Sequence, residues 1–188
     1  MRRGKGAELL RAALPALREH AEIFLLGAGA DGMDFFGERD VHVLLNYRRE
    51  ELAQLVATLR PDAALILPTV AETFSYTFSE CASLGLPVIA TRIGALAERI
   101  TDGENGFLVD VQIDAIVARV AQLGRERSAL KQVRERLLST PVRSLAQMAA
   151  DYAPLLASVD MKPPTATKNT NAPRNSVRPR REPLRARG

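Results

Sequence analysis

Apolar residues along the first 157 positions recur in two alternating rhythms. Leu10, Ala13, Leu14 and Leu17 fall at helical spacing after Gly6, predicting a helix that Pro15 either interrupts or restarts. Short, continuously apolar runs predict strands over Glu22–Leu26, Val41–Leu45, Ala64–Leu67 and Pro87–Ala90. The turn Asp102–Gly106 leads into a further apolar run, Phe107–Val109. Between the strands, Arg48–Leu59 places Leu52, Leu55, Val56 and Leu59 on one helical face and stops before Pro61. Ser75–Leu84 is a second such helix, closed by Gly85, and Ala95–Ile100 a short third. Helices are also expected from about Asp114 to Leu123, Ser128 to Leu138 and Val142 to Leu156. Apolar strands separated by helices are the pattern of a parallel sheet covered on both faces. The predicted fold class is therefore α/β, a Rossmann-like doubly wound parallel sheet.

Composition narrows the function. The 188 residues contain one cysteine, Cys81, and two histidines, His20 and His42, which leaves no multi-cysteine zinc site or disulfide framework. No metal site is expected. The longest strongly apolar uncharged run, Cys81–Thr91, is far short of the roughly 20 residues of a membrane helix. Glu8 and Arg11 break the apolar stretch a signal peptide needs, so a cytoplasmic protein is expected. The whole-chain charge of +4 is unevenly spread. Residues 161–188 hold eight basic side chains against Glu182 alone, a net +7, leaving −3 for residues 1–160. That tail is rich in Pro, Asn, Thr and Arg and nearly lacks large apolar groups, so residues 158–188 are expected to be disordered beside a domain at 1–157. Its arginines suit either an inert solubilising role or contact with anionic headgroups at the inner membrane face. Without interleaved aromatic residues they do not suit nucleic acid.

The candidate chemistry lies where open α/β sheets bind ligands, beyond the carboxyl ends of the strands. Three loops emerge there: Gly27–Gly29, Pro68–Ser75 and Thr91–Ala95, containing Gly94. Glu72 and Glu80 flank the turn into the helix beginning near Ser75. That helix tip offers free backbone N–H groups and a partial positive charge, favourable for phosphate. Glu80, about five residues in, stands roughly 7–8 Å along the axis, a fitting distance between a diphosphate and its ribose. A carboxylate can accept from both ribose hydroxyls at once. Glu72, ahead of the helix, would face whatever lies beyond the diphosphate. The geometry proposes a nucleoside diphosphate carrying a polar group such as a sugar.

The run Pro68…Glu72-Thr-Phe-Ser…Glu80-Cys-Ala-Ser-Leu-Gly85-Leu-Pro-Val-Ile-Ala90…Gly94…Gly106-Phe-Leu-Val109 resembles the donor-binding half of retaining glycosyltransferases of family 4, which have the GT-B fold. Gly4-Lys5-Gly6 also resembles that family's lysine-glycine segment. The resemblance covers roughly residues 4–157 and implies a single GT-B half-domain, with an acceptor-binding domain separate or missing. It implies that Lys5 contacts the donor diphosphate, that Glu72 binds hydroxyls of the transferred sugar as the catalytic-site carboxylate, and that Glu80 binds the ribose. The turn Phe74–Ser75–Tyr76 would offer backbone amides to the phosphates, with the Gly27, Gly29 and Gly94 loops around the donor. The implied reaction is sugar transfer with retention, without metal or cofactor, from a nucleoside-diphosphate sugar to a glycan or lipid-linked sugar in polysaccharide biosynthesis.

The chain departs from the pattern in places. Thr73 and Ser75 stand where the family usually has glycines, and the strand that normally precedes the lysine, with its phosphate-binding arginine, is absent. A non-catalytic remnant that binds a nucleotide or protein partner is the competing reading, and an epimerase of the same fold a third. Gly27-Ala-Gly29-Ala-Asp-Gly32 formally matches a dinucleotide fingerprint, but it has too little room for the helix required and Asn46 where an acidic residue would end the next strand. Glu98 suits a ligand contact and a structural role equally. Cys81, His20 and His42 are expected to be packing or structural residues.

Overall fold

The computed structural model describes residues 5–140 together with Ala150, Ala153 and Pro154. The chain divides into two units, Met1–Val142 and Arg143–Gly188, and the described fold lies almost wholly in the first. The expected domain boundary at 157/158 and the basic tail fall outside the described residues. Of the helix expected over Val142–Leu156, only the three helical residues Ala150, Ala153 and Pro154 are described.

The elements follow the apolar rhythms closely. Helix α1 (Ala7–Leu17) leads into strand β1 (Ile23–Leu26), a 3₁₀ helix over Gly29–Phe35, and β2 (Val41–Leu44). Helix α2 (Leu52–Leu59), β3 (Ala64–Ile66), α3 (Tyr76–Ser83) and β4 (Val88–Thr91) come next. The unit continues with α4 (Gly94–Arg99), β5 (Phe107–Val109), α5 (Ile113–Arg125) and α6 (Arg127–Ser139). Pro15 neither breaks nor restarts α1, because its ring sits in the last turn while Leu14 and Leu17 are buried on either side of it. The helix expected from Arg48 begins as a 3₁₀ turn, Arg49–Glu51, in which Glu51 returns to accept from the Arg48 backbone N–H at 2.9 Å.

All strand pairs are parallel, and successive residues feed opposite faces. Ile89, Phe107 and Val109 join Ile23, Leu25, α1, α5 and α6 in the larger core. Val88, Ala90 and Leu108 join Phe78, Cys81 and Leu96, from α3 and α4, in the smaller one.

Two expectations are corrected. The sheet is not continuous: β1–β2 form one pair and β3–β4–β5 a separate three-stranded sheet. A cavity of about 600 Å3, lined by Ile23–Leu26 on one side and Ala63–Leu65 on the other, takes the place of a ladder between β1 and β3. Nor is β2 buried on both faces. His42 and Leu44 are exposed, so β2 has one half-buried face and one bare face. His42 instead stacks on Phe24, ring centroids 4.6 Å apart, and meets Glu22 at 2.6 Å.

Candidate functional site

The loops holding Gly27 and Gly29, Glu72 and Phe74, and Gly94 follow β1, β3 and β4 in turn. Four glycines shape this end of the strands. At Gly6 the backbone has φ +85° and crosses the end of β3 so closely that a Cβ would stand 2.0 Å from the Leu67 carbonyl oxygen. That crossing puts Lys5 against Glu72, and the two form an ion pair. Gly27, φ +68°, accepts the Tyr47 ring where a Cβ would meet Cε1 at 2.8 Å. Gly94, φ +52°, packs its loop on the Glu72 backbone, and Ala95 N–H donates to the Glu72 carbonyl at 3.0 Å. Gly29, φ +61°, turns the chain after β1 and donates to Leu45 at 2.8 Å.

Glu80 also has a cation. Arg49, from the turn after β2, approaches it at 2.9 Å. The two ion pairs share a design, with the carboxylate inside and the cation outside. Side-chain exposures are 18% and 26% for Glu72 and Glu80 against 55% and 76% for Lys5 and Arg49. Lys5, Tyr47, Thr77 and Glu80 all line the same mouth of the cavity between the sheets. Burial, with the Glu80 and Cys81 charges added, raises the Tyr47 hydroxyl above its usual range.

The turn into α3 is held from beneath. Ser75 is buried, and its Oγ accepts from Phe78 N–H at 3.4 Å as the helix N-cap. That hydroxyl serves the fold instead of extending into the cleft, and it occupies one first-turn amide. The N–H groups of Tyr76 and Thr77 precede any intrahelical acceptor and stay at the tip. Arg99 of α4 donates to the Ser75 carbonyl and to Ser79 Oγ, both at 2.9 Å, while its guanidinium lies 4.1 Å from the Phe74 ring centroid. Burial lowers its pKa. Phe74 and Tyr76 are exposed and meet edge to face with centroids 5.0 Å apart. Thr91 Oγ1, fully buried, donates to the Pro68 carbonyl at 2.7 Å and ties the loop after β3 to β4.

Sequence reasoning missed Arg49, Tyr47 and Arg99. Arg49 and Tyr47 lie in a polar connection with no motif of its own. Arg99 was passed over beside Glu98, which is exposed. The fold brings Lys5 to Glu72 and Arg49 to Glu80, but it does not join the carboxylates to one another or to a histidine. Cys81 is buried, and desolvation raises its thiol to about 11, consistent with packing and not with a nucleophile. Among the described residues, no helix is long and apolar enough to cross a membrane.

Comparison with known proteins identifies the family and the fold. A D-inositol 3-phosphate glycosyltransferase of Thermomonospora curvata is 30% identical over 188 residues, covering 94% of this chain and 42% of that protein. One from Arthrobacter sp. is 31% identical over 114 residues, 56% of this chain and 26% of the relative. The chain thus spans less than half the length of these curated relatives. Among solved structures, Anabaena HepE in complex with UDP-glucose superposes with a TM-score of 0.70 at 18% identity, over 85% of this chain and 47% of that one. Sucrose-phosphate synthase from Thermosynechococcus elongatus gives 0.67 at 24% identity, over 84% and 44%. These likenesses establish one half of a GT-B fold. Residues 1–126 match the glycosyl transferases group 1 family, and the chain belongs to that family.

Proposed function

We propose that this chain is the donor-binding half of a retaining, metal-independent glycosyltransferase, transferring a hexose from a nucleoside-diphosphate sugar to a glycan or lipid-linked acceptor. The observation that supports this most is the pair of inward carboxylates, each held by an outward cation, on either side of the α3 tip. The names of the inositol 3-phosphate glycosyltransferase relatives and the UDP-glucose bound to HepE point the same way.

On this reading the donor exchanges partners with the protein. Its diphosphate takes Lys5 and the first-turn amides of Tyr76 and Thr77, where the helix dipole favours negative charge. Glu72, released from Lys5, accepts from hydroxyls of the transferred sugar and orients its anomeric carbon. Glu80 accepts from the two ribose hydroxyls. The close loops at Gly27, Gly29 and Gly94 allow backbone contact with the nucleotide. As the glycosidic bond breaks, the charge on the leaving diphosphate is spread over groups already in place, which lowers the barrier without reorganisation. The acceptor is brought by a second domain, and the basic residues of 161–188 suit an acceptor at an anionic membrane face.

Calorimetric titration of the chain with UDP, GDP and ADP tests the reading. One nucleotide is expected to bind saturably, and Glu80→Ala to weaken it at least about tenfold, the effect of about 1.4 kcal/mol of lost charge-assisted hydrogen bonding. The 2′-deoxynucleotide is expected to show the same loss on the unaltered protein and little further loss on the variant. Absence of binding for all three at millimolar concentration would put the non-catalytic remnant ahead.

A further inference from the structure

The turn after β2 sends one arginine across the site. It holds Arg48, Arg49, Glu50 and Glu51 in succession. Glu51 turns back to accept from the Arg48 backbone N–H at 2.9 Å, and Glu50 stands 4.0 Å from the Arg48 side chain. Arg49 passes over both acids and reaches α3, where its Nε lies 2.9 Å from Glu80 Oε1. The guanidinium is the exposed member of this pair and the carboxylate the covered one. The cation is therefore the partner that can leave.

On the donor reading, on which this inference rests, the two ion pairs of the site meet different fates. Lys5 leaves Glu72 for the diphosphate and exchanges one anion for another. Glu80 receives the ribose, whose hydroxyls are neutral, so Arg49 exchanges a carboxylate for water. That exchange opposes binding. We propose that Arg49 competes with the ribose for Glu80 and thereby sets how strongly the site distinguishes ribonucleotides from deoxyribonucleotides. A carboxylate can accept from both hydroxyls of a ribose once the guanidinium has left its oxygen. A 2′-deoxyribose brings a single hydroxyl, which adds one neutral donor where the guanidinium supplied a charged one, and the pair stays closed. The pair is thus subtracted from ribose binding alone, by a factor of about two to five for an ion pair as exposed as this. Arg49 is a specificity-determining residue whose presence narrows the preference for ribose.

The test is a thermodynamic cycle. The full chain and its Arg49→Ala and Arg49→Lys variants are titrated with UDP, GDP and ADP, each beside its 2′-deoxy form. Arg49→Ala is expected to tighten the ribonucleotide that binds by about twofold to fivefold and to leave its deoxy form unchanged. The preference for ribose widens by the same factor, and Arg49→Lys, which keeps the charge, restores most of the unaltered value. Salt supplies a second readout. Both forms carry the same diphosphate, so its screening cancels from their ratio, and the Arg49–Glu80 pair remains to be screened. Between about 0.03 M and about 0.3 M salt, the ribose preference is expected to widen in the unaltered chain and to stay constant in Arg49→Ala. Weaker ribonucleotide binding by Arg49→Ala, or an equal change for both forms, overturns the proposal and leaves the donor reading standing. So does a ribose preference unmoved by substitution and by salt. Absence of binding for every nucleotide and variant overturns the donor reading, and the competition falls with it.

Discussion

At the scale of single residues, Gly6 has the most constrained position. Its φ of +85° is a conformation that side chains resist, and the Leu67 carbonyl oxygen already occupies the space of a Cβ. Gly6→Ala is expected to destabilise the chain by about 3 kcal/mol, from left-handed strain added to displacement of backbone. Thermal or urea unfolding checks this, and a change under about 0.5 kcal/mol would exclude so tight a crossing. The glycine was legible in sequence as part of the lysine-glycine segment. The reason for it was not, because its obstacle is a carbonyl 61 residues further along the chain. Glu72 and Glu80 were legible from the strand-to-helix turn they flank, and Lys5 only from the resemblance to the lysine-glycine segment. Their ionic partners followed only in part, since a surface arginine such as Arg49 resembles any other until the fold sets it beside Glu80.

At the scale of elements, the α3 tip depends on α4. Arg99 holds the Ser75 carbonyl and Ser79 Oγ while stacking under Phe74, so it spans the junction between loop and helix. Arg99→Ala is expected to cost about 1–3 kcal/mol of stability, from two hydrogen bonds to a charged donor and a cation–π contact. It is also expected to weaken nucleoside diphosphate binding several-fold, acting through Phe74 and Ser75, which it holds. Paired unfolding and titration experiments on the variant separate the two effects. Unchanged affinity would show that the tip holds its shape without Arg99. The strands and helices themselves were readable to within a few residues, because burial selects apolar periodicity locally. The exceptions are instructive. Helix α1 continues through Pro15 because tertiary burial outweighs the lost bond near its end, and β2 alternates because its second face is bare.

At the scale of the molecule, the buried Cys81 thiol couples global stability to pH. Desolvation and the Glu80 charge raise it from 9.0 to about 11, so the fold favours the neutral thiol. Stability from this group is complete below about pH 9 and is lost as the pH climbs towards 11, because the unfolded chain ionises first. Urea unfolding between pH 8 and 11 is expected to show that decline, less steeply in Cys81→Ala, which no longer has an ionisable group at the site. Equal slopes would show that other groups govern the alkaline limb. The amino-acid sequence alone determined the class of fold, the order of elements and the identity of the carboxylates, since each rests on short-range periodicity or a local motif. Only the tertiary structure decided that the described strands form two sheets with a cavity between β1 and β3. It also decided which cation meets which carboxylate, and that Ser75 turns inward. These depend on contacts between residues distant in sequence, where ladder formation and ion pairing are set by the packing of the helices on either side.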